Sequence, residues 1–366
     1  MPNKKRYYDI KPILKTNSDY NIIYGKRSNG KTFGACEVAL TSYLNDGARV
    51  AYIRRYAEEI TPRNIGNLFT PHPIEDLTDG NFNCFVYKSH RFNLAYADEN
   101  GQITAIDSVA FCQTFALNTW ERTKGADNGR FDYIIFDEFI TRGNYLPNEF
   151  VIFLNVLSSL MRDRAGTKIF MLGNTVSTFC PYFDEMGIKP IIDELAQGEI
   201  KTFTNKDGLK VAIEYTADSD NTAAVNKYFS FNNPRLTMIT SGKWETKCYP
   251  HLMERVTNDN ILQRFYIDFD NKFIAADICT KNNEFFVHFH KGDKTEYDSQ
   301  KHFKICDKPE INPLCSVCLY TPRYRAQKLL LDLINRQKWF FATDEIGEII
   351  RSWLQHETRL KQNFLD

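Results

Sequence analysis

The sequence predicts an α/β protein, with a mostly parallel sheet covered by helices over residues 1–201 and a smaller α+β domain over residues 243–366. Three observations carry this. Short apolar runs alternate with helical or loop segments through about residue 200, the pattern of a parallel sheet. A glycine-rich loop, residues 25–32 (GKRSNGKT), lies between one such run and a helical pattern. Beyond about Lys243, runs of alternating apolar and polar residues follow one another as antiparallel strands do.

In chain order, residues 20–24 (YNIIY) form the first strand-length run, and Phe33, Cys36, Leu40, Tyr43 and Leu44 recur at helical spacing just after the glycine loop. Residues 49–54, 82–87, 131–136 and 168–172 read as further strands, and 148–161 is apolar at helical spacing. Residues 202–242 turn polar, with Asn-Lys-Asp-Gly at 205–208 and Asp-Ser-Asp-Asn at 218–221, and read as a linker or small helical subdomain. Then come strands at 265–269, 272–279 and 284–290, the first two joined by a two-residue turn at Asp270 and Asn271. Helices are expected at 325–339, with Leu329, Leu330, Leu333 and Ile334 on one face, and at 344–360.

The loop has the full G-x-x-x-x-G-K-[ST] spacing. Gly25 and Gly30 allow backbone angles that turn successive amides inward, so that Lys26, Arg27, Ser28 and Asn29 present N–H groups to phosphate at a helix start. Lys31 reaches the β and γ phosphates, and the Thr32 hydroxyl takes one position on Mg2+. A second motif, residues 133–138 (YIIFDE), is a buried strand ending in two acids at its carboxyl end, where open α/β sheets bind ligands. Asp137 is the candidate Mg2+ residue and Glu138 the candidate base for an attacking water. The glutamate beside the metal acid favours ATP hydrolysis over transfer to a small molecule and predicts a P-loop NTPase domain of the ASCE type. The Asn-Lys pairs at Asn3, Asn205, Asn226 and Asn271 lack the Asp of a guanine reader.

Composition is that of a globular protein. With 43% hydrophobic and 14% aromatic residues the chain can bury substantial cores, and 366 residues suit two domains. Formal net charge is zero, from 46 basic and 46 acidic residues, which excludes a wholesale polyelectrolyte binder. Nucleic-acid contact must be local, and residues 1–65, with twelve Lys/Arg against six Asp/Glu, are the basic part. Nine scattered cysteines fit a reducing compartment. Cys315 and Cys318 form a C-x-x-C pair, but with Cys306, His288, His290 or His302 it matches no standard zinc spacing. The basic amino-terminal stretch lacks a signal peptide's apolar centre, and no run reaches membrane-spanning length, so no membrane is expected.

Tyr7-Tyr8, GKRSNGKT, YIRRY at 52–56, YIIFDEF at 133–139, YLPNE at 145–149, MRDR at 161–164, LGNTVS at 172–177 and Pro181-Tyr182-Phe183 occur in this order. Together they resemble the genome-packaging ATPases of small short-tailed bacteriophages with protein-primed DNA, relatives of the large terminase subunits. The likeness covers roughly residues 7–183. It implies a homo-oligomeric ring, in that family a pentamer, that docks on the portal of a procapsid in the host cytoplasm and drives double-stranded DNA inward with ATP, with a structural RNA as a candidate further component. It implies that Arg162, with Arg164 as the alternative, completes a neighbouring subunit's site, that Lys124 acts across the same interface, that Asn174 senses the γ phosphate and that Tyr7 or Tyr8 stacks on adenine. It implies an RNase H-like carboxyl-terminal domain. Asp268, Asp270 and Asp277 are the carboxylates available to it, and two of them flank a turn, so an inactive remnant that binds portal or nucleic acid is favoured over a nuclease-active terminase. A nucleotide-dependent nucleic-acid-binding switch, hydrolysing slowly and without force, is the alternative from another class.

Overall fold

The computed structural model describes residues 8–120, 130–161, 166–177, 179–217, 249–252, 256–306 and 310–365. It divides into two compact units, Met1–Glu245 and Thr246–Asp366. Tyr7, Lys124, Arg162, Arg164 and the stretch 218–242 lie outside the described residues.

The first unit is built on a ten-stranded sheet. Its strands are β1 (Tyr20–Gly25), β2 (Val50–Arg54), β3 (Cys84–Lys88), β4 (Arg91–Ala97), β5 (Ile103–Ile106), β6 (Cys112–Ala116), β7 (Tyr133–Asp137), β8 (Lys168–Asn174), β9 (Ile200–Thr204) and β10 (Lys210–Tyr215). The order is β3-β4-β6-β2-β7-β8-β1-β10-β9, with β5 paired to β4. From β6 to β10 every neighbouring pair is parallel, and the outer strands β4, β3, β5 and β9 run antiparallel.

The central strands are apolar on both faces because both faces are covered. Ile22, Ile53, Ile134, Phe136 and Met171 point into one core. Their neighbours Ile23, Tyr52, Ile135, Phe170 and Leu172 point into the other. Helix α1 (Lys31–Asp46) buries Ala35, Cys36, Ala39 and Leu40 in the second core. It starts at Gly30, which is left-handed at φ 97°, and closes at Gly47, also left-handed, whose N–H reaches the Tyr43 carbonyl at 2.8 Å. Helix α2 (Glu149–Met161) buries Phe153, Val156, Leu157 and Leu160 in the first core.

The expected linker begins instead as sheet. The Asn-Lys-Asp-Gly segment is a hairpin turn, in which the Asn205 side chain accepts from the amides of Asp207 and Leu209 and Gly208 is left-handed. The turn joins β9 to β10, and β10 inserts Val211, Ala212 and Ile213 beside β1. An edge strand with exposed polar residues, followed by three apolar positions, carries no periodicity strong enough to be read. β10 also buries Glu214, which accepts the Tyr8 hydroxyl at 2.5 Å.

The second unit has a six-stranded sheet in the order β15-β14-β11-β12-β13-β16. Strands β11 (Ile261–Phe269), β12 (Lys272–Lys281) and β13 (Glu284–Lys291) form the antiparallel meander expected from sequence. Asp270 and Asn271, both at positive φ, make its first two-residue turn. β14 (Phe303–Cys306) lies parallel to β11, β15 (Cys315–Ser316) parallel to β14, and β16 (Trp339–Phe341) parallel to β13. Helix α3 (Arg325–Asn335) buries Leu330, Leu333 and Ile334, and α4 (Asp344–Leu365) buries Ile346, Ile350 and Trp353. α3 stops four residues before the expected Trp339. Gln337 turns left-handed and the aromatic run 339–341 pairs with β13 instead. No described helix is long and apolar enough to cross a membrane.

Burial raises the Glu214 carboxyl to about 7, against the opposing hydrogen bond from Tyr8. A raised carboxyl contributes stability that is complete below about pH 4.5 and is lost as pH rises through about 7. Glu214→Gln should therefore melt higher relative to wild type at pH 8 than at pH 5. Thermal denaturation across that range checks this, and parallel melting curves would count against it.

Candidate functional site

Parallel strands bring their carboxyl ends to one edge of the sheet, and β1, β7 and β8 place the sequence motifs there. Loop 25–30 leaves β1, with Ser28 left-handed at φ 59°, and runs into α1. A cavity of about 390 Å3 is lined by Arg27, Ser28, Asn29, Gly30, Lys31, Thr32, Asp137, Glu138, Gly173 and Asn174, with Leu172 beneath. Residues from three separate motifs thus share one cavity.

Lys31 is buried, and its ammonium donates to the carbonyls of Lys26 (2.6 Å) and Gly25 (3.4 Å) and to the side-chain oxygens of Asn29 and Asn174, both at 3.2 Å. Burial lowers its pKa to about 8, partly offset by the Asp137 charge. A phosphate entering the cavity competes with those neutral acceptors for a cation that already faces inward. Asn29 also ties the loop to the residue after β10 and to the chain before β1: its side-chain amide donates to the Thr216 hydroxyl at 2.8 Å, and its backbone carbonyl accepts the Tyr8 N–H at 2.8 Å.

Asp137 is held from several sides. Its Oδ2 accepts from the Thr32 hydroxyl at 3.1 Å and the Tyr52 hydroxyl at 2.7 Å, with an Arg54 nitrogen at 3.6 Å. Its Oδ1 accepts the Glu138 N–H at 3.0 Å. Burial and the neighbouring Asp137 push the Tyr52 hydroxyl well above its ordinary pKa, so it stays a donor. The Thr32 and Asp137 oxygens, side by side, suit a hard divalent cation such as Mg2+, which takes one or two protein oxygens and keeps its waters. Glu138 is half-exposed and ion-paired to Arg54 at 2.7 Å; Arg54 also meets Glu59 at 3.1 Å.

Of the residues singled out from sequence, the cavity gathers the loop from Arg27 to Thr32 together with Asp137, Glu138 and Asn174. Gly25 and Lys26 lie behind it, their carbonyls on Lys31. Tyr8 is absent from its lining. The Tyr8 hydroxyl is committed to Glu214 and its ring lies over Gly34. Sequence reasoning missed Tyr52, Arg54, Glu214 and Thr216 as neighbours of the site. Tyr52 and Arg54 alternate on β2, whose place beside β7 only the sheet order reveals; their signal was polar residues ending an apolar strand.

A glycine-lysine loop opening a helix at the edge of a parallel sheet, facing paired acids on a nearby strand, is the architecture of P-loop nucleotide-binding proteins. The family model of the Podovirus DNA encapsidation protein (Gp16) matches residues 2–219, and the chain belongs to that family. It is similar to the DNA packaging protein of Bacillus phage B103, 28% identical over 177 residues that cover 48% of this chain and 50% of that protein. The DNA packaging protein of Bacillus phage phi29 is 25% identical over 195 residues, covering 52% of this chain and 53% of that one. The chain thus spans about half the length of the curated relatives it matches. In fold it is similar to a chain of the bacteriophage phi29 genome packaging motor assembly, with a TM-score of 0.54 at 18% identity over 96% of this chain and 99% of that chain.

A Cβ on Gly25 would lie 2.0 Å from the Thr216 hydroxyl oxygen. Gly25→Ala should therefore displace the loop, costing roughly 1–3 kcal/mol of stability and most nucleotide affinity, and Thr216→Ala in the same chain should restore part of both. Thermal denaturation and titration with a fluorescent nucleotide test this; a Gly25→Ala protein with wild-type affinity would contradict it.

Proposed function

We propose that this chain is the ATPase of a viral DNA-packaging motor, coupling ATP hydrolysis to translocation of double-stranded DNA into a procapsid. The observation that carries the reading is the convergence of Lys31, Thr32, Asp137, Glu138 and Asn174 on one cavity at the carboxyl edge of the sheet. Family membership and the phage packaging relatives support the DNA-packaging role.

On this reading the loop amides and Lys31 bind the triphosphate, and Thr32 and Asp137 hold Mg2+. The metal, when bound, offsets charge on the β and γ phosphates. Glu138 orients the attacking water, for which it must leave Arg54. Asn174 senses the γ phosphate because it now shares the Lys31 ammonium, which a phosphate would claim. Arg162, or Arg164, belongs to the neighbour's site and stabilises charge on the transferring phosphoryl group, and Lys124 acts at the same boundary. Tyr7 or Tyr8 stacks on adenine, and Tyr8 also braces the loop through the Asn29 carbonyl. The partners are further copies of the chain in a ring, double-stranded DNA, the portal of a procapsid in the host cytoplasm and, by family likeness, a structural RNA.

The second unit is read as an RNase H-like remnant without nuclease activity. Its antiparallel meander extended by parallel strands supports an RNase H-like origin. Among the described residues, Asp268, Asp270 and Asp277 form no cluster able to hold a metal. Asp277 is buried in bonds to Arg264 at 2.7 and 2.9 Å and to His290 at 3.1 Å. Two-metal cleavage needs free carboxylates side by side.

The test is ATP turnover by assembled protein with and without double-stranded DNA. DNA should raise turnover; no stimulation would favour a nucleotide-dependent switch, and plasmid cleavage with Mn2+ would revive the nuclease. Lys31→Ala should abolish nucleotide binding, whereas Glu138→Gln should bind ATP and lose turnover by at least about 100-fold. Equal loss of binding in both would remove Glu138 as the base. Mixing Arg162→Ala with Glu138→Gln subunits should restore partial hydrolysis, and silence at every ratio would remove Arg162 from the neighbour's site.

A further inference from the structure

Glu138, the base in the reading above, has a left-handed backbone at φ 58°. A non-glycine residue holds that conformation only where its surroundings over-determine it. The Glu138 N–H is held by Asp137 Oδ1 at 3.0 Å and the Phe139 N–H by the Leu172 carbonyl at 3.2 Å, and the two carbonyls are held by one buried side chain. Arg55, just past the end of β2 and next to the Arg54 that meets the Glu138 carboxylate, points the other way and donates from Nη1 to the Glu138 carbonyl at 3.2 Å and from Nη2 to the Phe139 carbonyl at 2.7 Å. Its third donor, Nε, lies on the Glu149 carboxylate at 2.9 and 3.0 Å, and its guanidinium stacks over Tyr145 at 4.9 Å.

Glu149 is itself fixed. Its Oε1 accepts the Tyr182 hydroxyl at 2.9 Å and its Oε2 the Leu146 N–H at 2.7 Å, and it is the first residue of α2. Both charges are almost wholly buried, with Arg55 4% and Glu149 2% exposed. Neither side chain lines the nucleotide cavity. A buried ion pair is a poor source of stability when apolar groups could fill the same space, so its value lies in what it holds. This pair holds two consecutive peptide carbonyls at the base and the start of the helix that Arg162 follows in sequence.

We propose that Arg55 is a positioning residue for hydrolysis: its planar fork sets the Glu138–Phe139 backbone, and Glu149 makes that hold depend on where α2 begins. The Glu138 carboxylate is left free to move between Arg54 and the attacking water, while its backbone stays in place. This rests on the ATPase reading and adds to it a residue that touches neither nucleotide nor metal. Lysine cannot replace it, because one ammonium lacks the fork that spans two carbonyls and a carboxylate.

Removing one partner of a buried pair can prevent folding, so the informative protein carries Arg55→Met, Glu149→Leu and Tyr182→Phe together, an apolar filling of the same space. It should melt within a few degrees of wild type and bind a fluorescent ATP analogue within about threefold, yet hydrolyse ATP about 100-fold more slowly, the loss a displacement near 1 Å can cause. Placed in a Glu138→Gln chain, the same three changes should add almost nothing, because both act through one group. Arg55→Lys, which keeps the charge pair, is the second variant should the triple one fail to fold; it should lose at least about tenfold in turnover with affinity unchanged. Wild-type turnover in either folded variant, or a full further loss on top of Glu138→Gln, would overturn the proposal. A wild-type protein without ATP hydrolysis would instead overturn the ATPase reading on which it rests.

Discussion

Parallel strands end on the same edge, and in this protein β2, β7, β8 and β1 lie side by side there. Side chains and loops leaving those four ends are therefore neighbours whatever their distance along the chain: Lys31 meets Asn174, Thr32 meets Asp137, and Tyr52 meets Asp137 from the adjoining strand. The two apolar cores keep the strands in register from both faces, so the site's precision is inherited from packing rather than from its own bonds. The groups that line the cavity sit at the first turn of α1, at the last residues of β7 and β8 and in the loops beside them, so the sheet fixes where they lie.

Charges in and beside the cavity already have partners before any ligand is considered. Lys31 and Arg54 face Asp137, Glu138 and Glu59, and neutral oxygens fill out the Lys31 shell. On the proposed reading, binding a polyphosphate and a divalent cation would be an exchange of partners, in which Lys31 would trade carbonyls for phosphate and Asp137 and Thr32 would turn from each other to the metal. Such exchanges move little mass and release no buried charge unpaired. The same economy holds behind the site, where Arg55 and Glu149 satisfy each other and the Glu138–Phe139 backbone together.

Strands β1, β2, β7 and β8 were legible because buried parallel strands are short unbroken apolar runs, and the loop because its spacing is strict. β9 and β10 were not: a polar hairpin turn and an edge strand look like a linker until β10 is seen to insert beside β1. The end of α3 was misread for a similar reason, since aromatic residues 339–341 suit a helix or a strand and the free edge of β13 decided between them. Within the site, Lys31, Thr32, Asp137 and Glu138 could be named from motif chemistry. Tyr52, Arg54 and Arg55 could not be given roles, because their meaning depends on which strand neighbours which.

The order of residues along the chain alone determined the phosphate loop, the paired acids and the alternation of elements, for each is a local pattern whose physics acts within a few residues. The tertiary structure decided which of two consecutive arginines faces the Glu138 carboxylate and which grips its backbone, and that Tyr8 braces the loop through Glu214 and β10. Side chains alternate along an extended chain, so adjacent residues enter different surroundings, and those surroundings are made by segments 83 to 206 residues away.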